Sequence, residues 1–371
     1  MKIAFCVYKF FPYGGLQRDF YRIAEELANR GHEIRVYVQS WKGADVPVFM
    51  DLHIVPTTSL TNHGKNTQYY KWVRQHLAEY PVDRVVGFNK MPGLDVYYAA
   101  DTCYAEKVAN EKGFFYKLSG RCRHYSRFEA ETVKRGGKTK LMIIAPRQKT
   151  EFQKYYQTED ERFYLLPPGI APDRKFTNFP AGTRQDFRQE FGLKESDILM
   201  VQIGSDFHRK GVDRSIRALA SLKSEQRQKV FLYVIGQDKA EKFSDLADSL
   251  GVSKQVKIFN GRDDVPRFIA SADLLLHPAR SENTGTVILE AMAGGLPQIV
   301  TQECGYSPYV TRAKSGFVIS SPYSQPEFDG LLAKALQEGQ IDDWKANARN
   351  FAIHEDLYSL PKKAADIILK C

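Results

Sequence analysis

Short apolar runs recur along this chain, and each ends in a glycine or a polar residue before a helical pattern begins. The first run is followed by an amphipathic stretch over residues 16–30 that stops at Gly31, a residue type common just after helices. Strand patterns that alternate with helical patterns predict parallel sheets covered by helices. The predicted strands are residues 3–7, 34–38, 84–88, 96–100, 141–145, 198–203, 230–235, 256–259, 274–276 and 297–300.

This rhythm breaks at Pro167-Pro168-Gly169 and then restarts, and a chain of 371 residues is long enough for about two domains. We predict an α/β protein with two Rossmann-like, doubly wound domains that face a cleft. The domains span residues 1–167 and 168–350, and residues 351–371 form a C-terminal helix that packs back on the first domain. Ligands of open α/β sheets bind at the carboxyl ends of the strands, so the residues that follow strands are the candidate site residues.

The composition is that of a globular protein, with 43% hydrophobic and 26% charged residues. A net charge of +9 favours an anionic partner, and nucleotide phosphates, an acidic membrane surface and nucleic acid all fit this charge. Five cysteines without a CxxC pair predict neither a disulfide framework nor a zinc site, and they fit a reducing compartment. No run of about 18 apolar residues occurs, so any membrane contact is expected at the surface. The apolar run at the N-terminus is too short for a signal peptide.

The segment 281–290 places two glutamates around a glycine, between a predicted strand and a predicted helix. A helix N-terminus beside a glycine offers free backbone N–H groups to a phosphate. Glu290 would then accept the hydroxyls of a ribose, and Glu282 would face the hydroxyls of a sugar. A helix with an acidic first turn shows the same two glutamates, and it is the flanking strand and helix that favour a binding site.

The loop 204–211 follows another predicted strand and contains the adjacent cations Arg209 and Lys210. Two cations at this position would stabilise a departing diphosphate without a metal ion. A solvated basic loop is the alternative.

Two further features follow strands of the first half. Gly14-Gly15 lacks the GxGxxG spacing of a dinucleotide fingerprint, but it would allow a phosphate or another backbone to approach closely; a plain tight turn is equally consistent. Asp101 would bind a substrate hydroxyl or assist its deprotonation. An N-cap for a helix that begins at Thr102 explains Asp101 equally well.

Motifs of several other enzyme classes are missing. There is no GxxxxGK[ST] loop, and His32-Glu33 is followed by Val36 where a zinc HExxH motif needs histidine. No two aspartates are separated by a single residue, as they are in metal-dependent sugar transferases. We therefore expect no catalytic metal ion and no cofactor.

A basic, aromatic-rich segment spans residues 104–140. Between Lys112 and Lys140 it contains nine lysines and arginines but only two acids, Glu129 and Glu131. This pattern is typical of a surface that rests on anionic lipid, although a solvated helix over the core would also fit. Nucleic acid is a weaker alternative, because no recognised nucleic-acid-binding motif accompanies it. The cations assigned to membrane contact are Lys112, Lys117, Arg121, Arg123 and Arg127, and the aromatic and aliphatic residues among them are Phe114, Phe115, Tyr116, Leu118, Tyr125 and Phe128.

Several long strings of this sequence resemble the lipopolysaccharide core glucosyltransferase I family. They are YKFFPYGGLQRD at 8–19, VVGFNKMPGLDV at 85–96, LPPGI at 166–170, the stretch 204–215 and DLYSLP at 356–361, and the likeness runs nearly end to end. The resemblance implies a GT-B fold and a retaining, metal-independent transferase. Its members move glucose from UDP-glucose to an inner-core heptose at the cytoplasmic face of the inner membrane.

The resemblance also implies partners and site residues. The first domain would bind a lipopolysaccharide inner-core acceptor, the second a UDP-sugar donor, and the basic segment an anionic membrane surface, with no nucleic acid bound. Asp101, Arg209, Lys210 and Glu282 would form the catalytic set. The donor-binding set would be Gly15, Asp19, Arg174, Arg209, Lys210, Arg262, Glu282, Asn283, Gly285, Thr286, Val287 and Glu290.

One departure from the family pattern concerns the donor sugar. Asn283-Thr284 stand before the glycine, where small or apolar residues are expected, and Thr286 stands after it, where an aliphatic residue is expected. Added amide and hydroxyl groups beside the sugar leave open a UDP-N-acetylhexosamine donor. Two hypotheses of other classes are an NAD-dependent oxidoreductase, which the missing GxGxxG disfavours, and a peripheral membrane protein without catalysis, which the intact donor-site residues disfavour.

Overall fold

The computed structural model describes residues 1–11, 14–43, 45–171, 180, 182–337 and 340–371, and these residues form two compact units. The first unit comprises Met1–Gly169 and Ser359–Cys371, and the second comprises Ile170–Tyr358. The change of unit at 169–170 lies close to the break predicted at 167–168. The chain returns to the first unit at Ser359, later than the predicted position 351.

The first unit alternates strands with helices. Its elements up to the first change of unit are β1 (Lys2–Cys6), β2 (Lys9–Phe10), α1 (Gly15–Asn29), β3 (Glu33–Val38), β4 (Ser40–Trp41), β5 (Met50–Ile54), α2 (Asn62–Glu79), β6 (Arg84–Gly87), β7 (Val96–Ala99), α3 (Tyr104–Glu111), α4 (Phe114–Lys117), α5 (Gly120–Val133), β8 (Lys140–Ile143), α6 (Pro146–Tyr156), a 3₁₀ turn (Asp160–Arg162) and β9 (Phe163–Leu165).

The second unit repeats this alternation. Its elements are α7 (Thr183–Phe191), β10 (Ile198–Ile203), α8 (Phe207–Lys210), α9 (Val212–Ser221), α10 (Ser224–Arg227), β11 (Val230–Ile235), α11 (Glu241–Ser249), β12 (Val256–Phe259), α12 (Val265–Ser271), β13 (Leu274–His277), α13 (Thr286–Ala293), β14 (Gln298–Thr301), α14 (Ser307–Ala313), β15 (Gly316–Ile319), α15 (Gln325–Ala335) and α16 (Gln340–His354). The last helix, α17 (Leu360–Leu369), belongs to the first unit.

Each unit is built on one main parallel sheet. The first has the strand order β5-β3-β1-β6-β7-β8-β9, and the second has the order β12-β11-β10-β13-β14-β15. In both, the chain starts near the middle, moves to one edge and then returns to fill the other, as doubly wound sheets do. The predicted α/β class with two Rossmann-like folds is therefore confirmed.

Helix α1 shows why these segments form elements. Its residues Phe20, Ile23, Ala24 and Leu27 recur at helical spacing and are fully buried against the first sheet. Burying each of the large side chains contributes about 1.5–3 kcal/mol relative to exposure. Helix α17 completes this core from the other end of the chain, with Leu360, Ala364, Ala365 and Ile368 packed in the same cluster.

Candidate active site

Two loops at the carboxyl edge of the second sheet are joined through their backbones. They follow the neighbouring strands β10 and β13, and Arg280 N donates to Arg209 O at 2.7 Å. Gly211 has a φ of +74°, and a Cβ there would lie 2.1 Å from Pro278 O. Only glycine fits that conformation and that approach. The loop with both cations is thereby held against the loop that leads to Glu282.

A third loop, after β14, fixes Glu282 from the other side. Gly305 N donates to Glu282 O at 3.3 Å, and Tyr306 N donates to Thr284 O at 2.8 Å. Glu282 also forms an isolated parallel bridge with Cys304. The backbone of Glu282 is therefore held between the ends of two neighbouring strands.

Arg209 and Lys210 converge on one carboxylate. Arg209 Nη1 lies 2.8 Å from Glu282 Oε2, and Lys210 Nζ pairs with the same oxygen. The Glu282 side chain is only 14% exposed. Burial alone would raise its pKa, but the charge and hydrogen bond of Lys210, with the charges of His277 and Arg209, lower the pKa of Glu282 to about 2. Glu282 is thus ionised at neutral pH.

His277 lies beneath this cluster and was not singled out from the sequence. It ends β13, is fully buried, and places Nε2 3.9 Å from Glu282 Oε2. Burial, with the nearby charges of Lys210 and Arg209, lowers the pKa of His277 to about 3. His277 is therefore neutral at pH 7, and the lysine and arginine supply the positive charge around Glu282. The available signal was a histidine that ends a buried strand five residues before Glu282.

Helix α13 begins directly beside Glu282. Its N-cap Gly285 has a φ of +84° and supplies no side-chain cap, and a Cβ built there would lie 3.4 Å from Glu282 Cγ. Thr286 and Val287 head the helix, and the Val287 side chain is buried in the core, so its backbone N–H is the group relevant to a ligand. An uncapped helix N-terminus favours an anion.

The remaining donor-set residues of the second unit occupy different places. Asn283 lies half-buried in the loop before Gly285, and Glu290 is buried one turn into α13. Arg262 forms a bidentate ion pair with Asp264, at 2.6 and 2.8 Å, and does not join the Glu282 cluster. Arg174 lies outside the described residues.

Two donor-set residues belong to the first unit. Gly15 is the exposed first residue of α1, and the space around its position is open. Asp19, on the same helix, accepts a 2.6 Å hydrogen bond from Tyr98 Oη. Burial raises the pKa of Asp19 to about 6, and the hydrogen bond from Tyr98 and the charges of Arg22 and Arg18 only partly oppose this. Asp19 therefore titrates near neutral pH.

Asp101 lies just beyond the end of β7. Its side chain is exposed, yet the protein packed around it limits hydration. This desolvation raises the pKa of Asp101; the charge of Lys90 opposes the rise and that of Glu129 adds to it. The alternative role as an N-cap is wrong, because α3 starts at Tyr104 and its N-cap is Cys103.

The basic segment consists of α3, α4, α5 and the loop to β8. Phe114, Phe115 and Leu118 are exposed, as are four of the five assigned cations, while Lys112 is half-buried with Nζ 5.5 Å from the Tyr116 ring centroid. The exposed cations are Lys117, Arg121, Arg123 and Arg127. Within the described residues no helix is both long and apolar enough to cross a bilayer.

Two residues of this segment face the core, so the placement of Phe128 on the basic surface is wrong. Phe128 is 1% exposed and belongs to the core of the first unit instead of the surface. Glu129, which the sequence shows only as one of the two acids of the segment, is fully buried.

Comparison with known proteins defines the class. Residues 183–351 match the family model "Glycosyl transferases group 1", and residues 13–174 match "Glycosyltransferase Family 4". The chain is a glycosyltransferase with a GT-B fold.

The particular family follows from a full-length relative. The lipopolysaccharide glucosyltransferase WaaG of Escherichia coli K12 is 56% identical over 369 residues, which cover 99% of this chain and 98% of that protein. A crystal structure of WaaG superposes with a TM-score of 0.92 over 99% of both chains. The chain belongs to the family of lipopolysaccharide glucosyltransferases that includes WaaG.

More distant structures share the fold alone. The Anabaena protein HepE, solved with UDP and glucose, is 19% identical and superposes with a TM-score of 0.75 over 100% of both chains. The two hypotheses of other classes, an NAD-dependent oxidoreductase and a membrane protein without catalysis, are wrong, because family membership makes the chain a glycosyltransferase.

Proposed function

We propose that this protein transfers glucose from UDP-glucose to an inner-core heptose of lipopolysaccharide, with retention at the anomeric carbon and without a metal ion. The observation that carries the proposal is the convergence of Arg209 and Lys210 on Glu282 beside the N-terminus of α13. Its 56% identical relative is a lipopolysaccharide glucosyltransferase, which supports both the acceptor and the hexose of this proposal.

The donor diphosphate binds at the N-terminus of α13. Backbone N–H groups of Thr286 and Val287 face the phosphate oxygens, and the helix dipole favours their charge. When the anomeric C–O bond breaks, its electron pair stays on the diphosphate oxygen, and Arg209 and Lys210 stabilise that new charge. These two cations already share Glu282, so they are fixed in position before the donor arrives.

The two glutamates bind the rest of the donor. Glu290, buried one turn into α13, accepts from the ribose hydroxyls, and Glu282 accepts from a hydroxyl of the hexose. Because the pKa of Glu282 is lowered to about 2, it acts as an acceptor and not as a proton donor.

The acceptor hydroxyl attacks the same face that the diphosphate leaves. In this front-face route a diphosphate oxygen takes the proton of the hydroxyl while the new glycosidic bond forms. Asp101 binds the acceptor or assists this proton transfer, and its exposed side chain is open to a ligand. A covalent glycosyl intermediate would also give retention.

A UDP-N-acetylhexosamine is the second candidate donor. The polar side chains of Asn283 and Thr286 flank Gly285 beside Glu282, and an acetamido group offers one donor and one acceptor to such partners. This candidate concerns only the sugar, since the phosphate contacts depend on backbone N–H groups.

A competition experiment decides between the two donors. Equal amounts of UDP-glucose and UDP-N-acetylglucosamine are supplied together with truncated lipopolysaccharide, and the product is analysed by mass spectrometry. The proposal predicts a hexose on the product, and NMR is expected to show the same anomeric configuration as in the donor. It also predicts full activity in EDTA. A product that contains only N-acetylhexosamine would establish the second candidate, and loss of activity in EDTA would refute metal independence.

We further propose that the basic segment holds the protein on the cytoplasmic face of the inner membrane. Exposed Phe114, Phe115 and Leu118 lie next to exposed cations, and a basic surface with protruding apolar side chains suits anionic lipid. Flotation with anionic vesicles tests it, using Lys117→Glu/Arg123→Glu. The matched control is Lys223→Glu/Lys229→Glu, which reverses two exposed lysines of the second unit. Equal binding by both variants would contradict the proposal.

A further inference from the structure

The backbone at Asp101 is held by side chains of other elements, whereas the Asp101 side chain itself is exposed. The carbonyl of Asp101 accepts from Gln148 Nε2 at 3.1 Å, and the next carbonyl, that of Thr102, accepts from Lys90 Nζ at 2.8 Å. Gln148 is itself fixed, since its Oε1 accepts from the backbone N–H groups of Ile144 and Ala145. Two consecutive carbonyls are thus held by two side chains from other elements.

The residues that follow are held by Glu129. Its carboxylate accepts from Tyr104 N at 2.6 Å and from Ala105 N at 2.8 Å, which are the first two N–H groups of α3. The N-cap residue Cys103 makes no side-chain cap, so Glu129 of α5 performs that role from another helix. A carboxylate at a helix N-terminus is electrostatically favourable.

Lys90 and Glu129 form a buried ion pair within this arrangement. Glu129 is fully buried, the Lys90 side chain is 11% exposed, and Tyr156 Oη donates to Glu129 at 2.8 Å. Burial opposes both charges, yet their mutual attraction raises the pKa of Lys90 and lowers that of Glu129. Every charged oxygen of Glu129 therefore has partners, which is the condition under which a buried pair is tolerated.

The same helix bears the exposed basic surface. Arg121, Arg123 and Arg127 are exposed on α5, whereas Glu129 of α5 points into the core. One rigid element thus links the cationic surface to the backbone that carries Asp101.

We propose that Lys90 and Glu129 are positioning residues for the transfer step and that they act through Asp101. This inference rests on the proposed function, because it takes Asp101 to be the residue that meets the acceptor. The pair fixes the backbone from residue 102 to residue 105, and this sets where the Asp101 carboxylate lies relative to the acceptor hydroxyl. A displacement of about 1 Å at such a group is enough to lower turnover about 100-fold.

The test is a double-mutant cycle between Lys90→Met and Asp101→Asn. Each single variant is expected to lower kcat by about 10- to 100-fold, while UDP affinity, measured by calorimetry, stays within twofold of the parent protein. The double variant is expected to be no slower than Asp101→Asn alone, because Lys90 acts through Asp101. Losses that multiply in the double variant would overturn the inference, and so would a Lys90→Met variant with the parent kcat.

Two further variants separate positioning from stability. Lys90→Met leaves the charge of Glu129 buried and unpaired, whereas Lys90→Met/Glu129→Gln removes both charges and is expected to regain thermal stability. Its kcat is expected to stay low, because Thr102 O still lacks its donor; a kcat that recovers together with stability would show a purely structural pair. Arg35→Met is the matched control. It removes a buried cation of β3 that pairs with Asp51 of the edge strand β5, two strands away from β7, and it should leave kcat unchanged.

Results that refute the proposed function differ from results that refute only the positioning inference. If the parent protein transfers no hexose, or if Asp101→Asn keeps the parent kcat, the proposed role of Asp101 fails, and the positioning inference falls with it. The positioning inference alone fails if Asp101→Asn has a low kcat and either of two results is found. One is a double variant whose loss of kcat is the product of the two single losses, and the other is a Lys90→Met variant with the parent kcat.

Discussion

Replacement of Glu282 by glutamine tests the electrostatics of the candidate active site. A pKa of Glu282 lowered from 4.5 to about 2 corresponds to about 3 kcal/mol of stability at pH 7, since one pKa unit is about 1.4 kcal/mol. The side chain is only 14% exposed, so solvent screening removes little of this. Glu282→Gln also leaves the buried Lys210 without its anionic partner, whereas Arg209 keeps Asp206, and breaking a buried pair costs about 3–5 kcal/mol. Both routes give about 3 kcal/mol.

The pH dependence carries a definite sign. A carboxyl group with a lowered folded-state pKa contributes its full stability above the unfolded-state pKa of 4.5 and loses it as pH falls toward about 2. The difference between parent and Glu282→Gln is therefore expected to be constant from pH 8 to pH 6 and to shrink below pH 5.

Urea unfolding of the second unit measures this difference. Trp344 is nearly buried in the core of that unit, whereas Trp41 and Trp72 lie in the first unit. A Trp41→Phe/Trp72→Phe background makes Trp344 fluorescence the only tryptophan signal, so the transition reports the second unit. The matched control is Asp213→Asn, which breaks the more exposed ion pair with Arg280 and is expected to cost less. A change below about 0.5 kcal/mol for Glu282→Gln at pH 7, within ordinary surface effects, would refute the reasoning.

Two further predictions concern single positions. Gly211→Ala is expected to destabilise the second unit by at least about 2 kcal/mol through strain and overpacking, because φ is +74° and a Cβ would lie 2.1 Å from Pro278 O. Trp344 fluorescence during unfolding measures this loss. Gly251→Ala is the control, because it introduces the backbone strain without the clash. Asp19→Asn is expected to stabilise the first unit by up to about 3 kcal/mol at pH 8, because the pKa of Asp19 is raised from 3.8 to about 6. In the parent protein the stability contributed by the Asp19 carboxyl is complete below pH 3.8 and is lost as pH rises through about 6. The stability gained by Asp19→Asn is therefore expected to disappear by pH 4. A gain that does not change with pH would contradict this prediction.

Central strands could be predicted well from the sequence. Residues 198–203 and 230–235 coincide with the interior strands β10 and β11, because strands of a parallel sheet read as near-continuous apolar runs. The edge strands β5, β9 and β15 were missed, although the prediction at 256–259 coincides with the edge strand β12. Of the five residues of β5, only Met50 is buried, and a half-exposed strand has no such run.

The candidate site was partly predictable as well. Strand ends and a following helix placed Glu282 and the two cations at the same edge of the second sheet, but spacing alone does not show that both cations pair with one oxygen. The Lys90–Glu129 pair was missed for a related reason. Glu129 lies among nine basic residues of the sequence, and only the tertiary packing shows that it faces the core.

The most direct test of the central claim is the rate of hexose transfer by the parent protein and by Glu290→Ala. Truncated lipopolysaccharide is incubated with UDP-glucose, and mass spectrometry follows the acceptor. The parent protein is expected to add one hexose, and Glu290→Ala is expected to be at least about 10-fold slower, because a hydrogen bond to a charged group contributes about 1.5–3 kcal/mol. An acceptor that gains no sugar from any UDP-sugar, or a Glu290→Ala variant at the parent rate, would contradict the account.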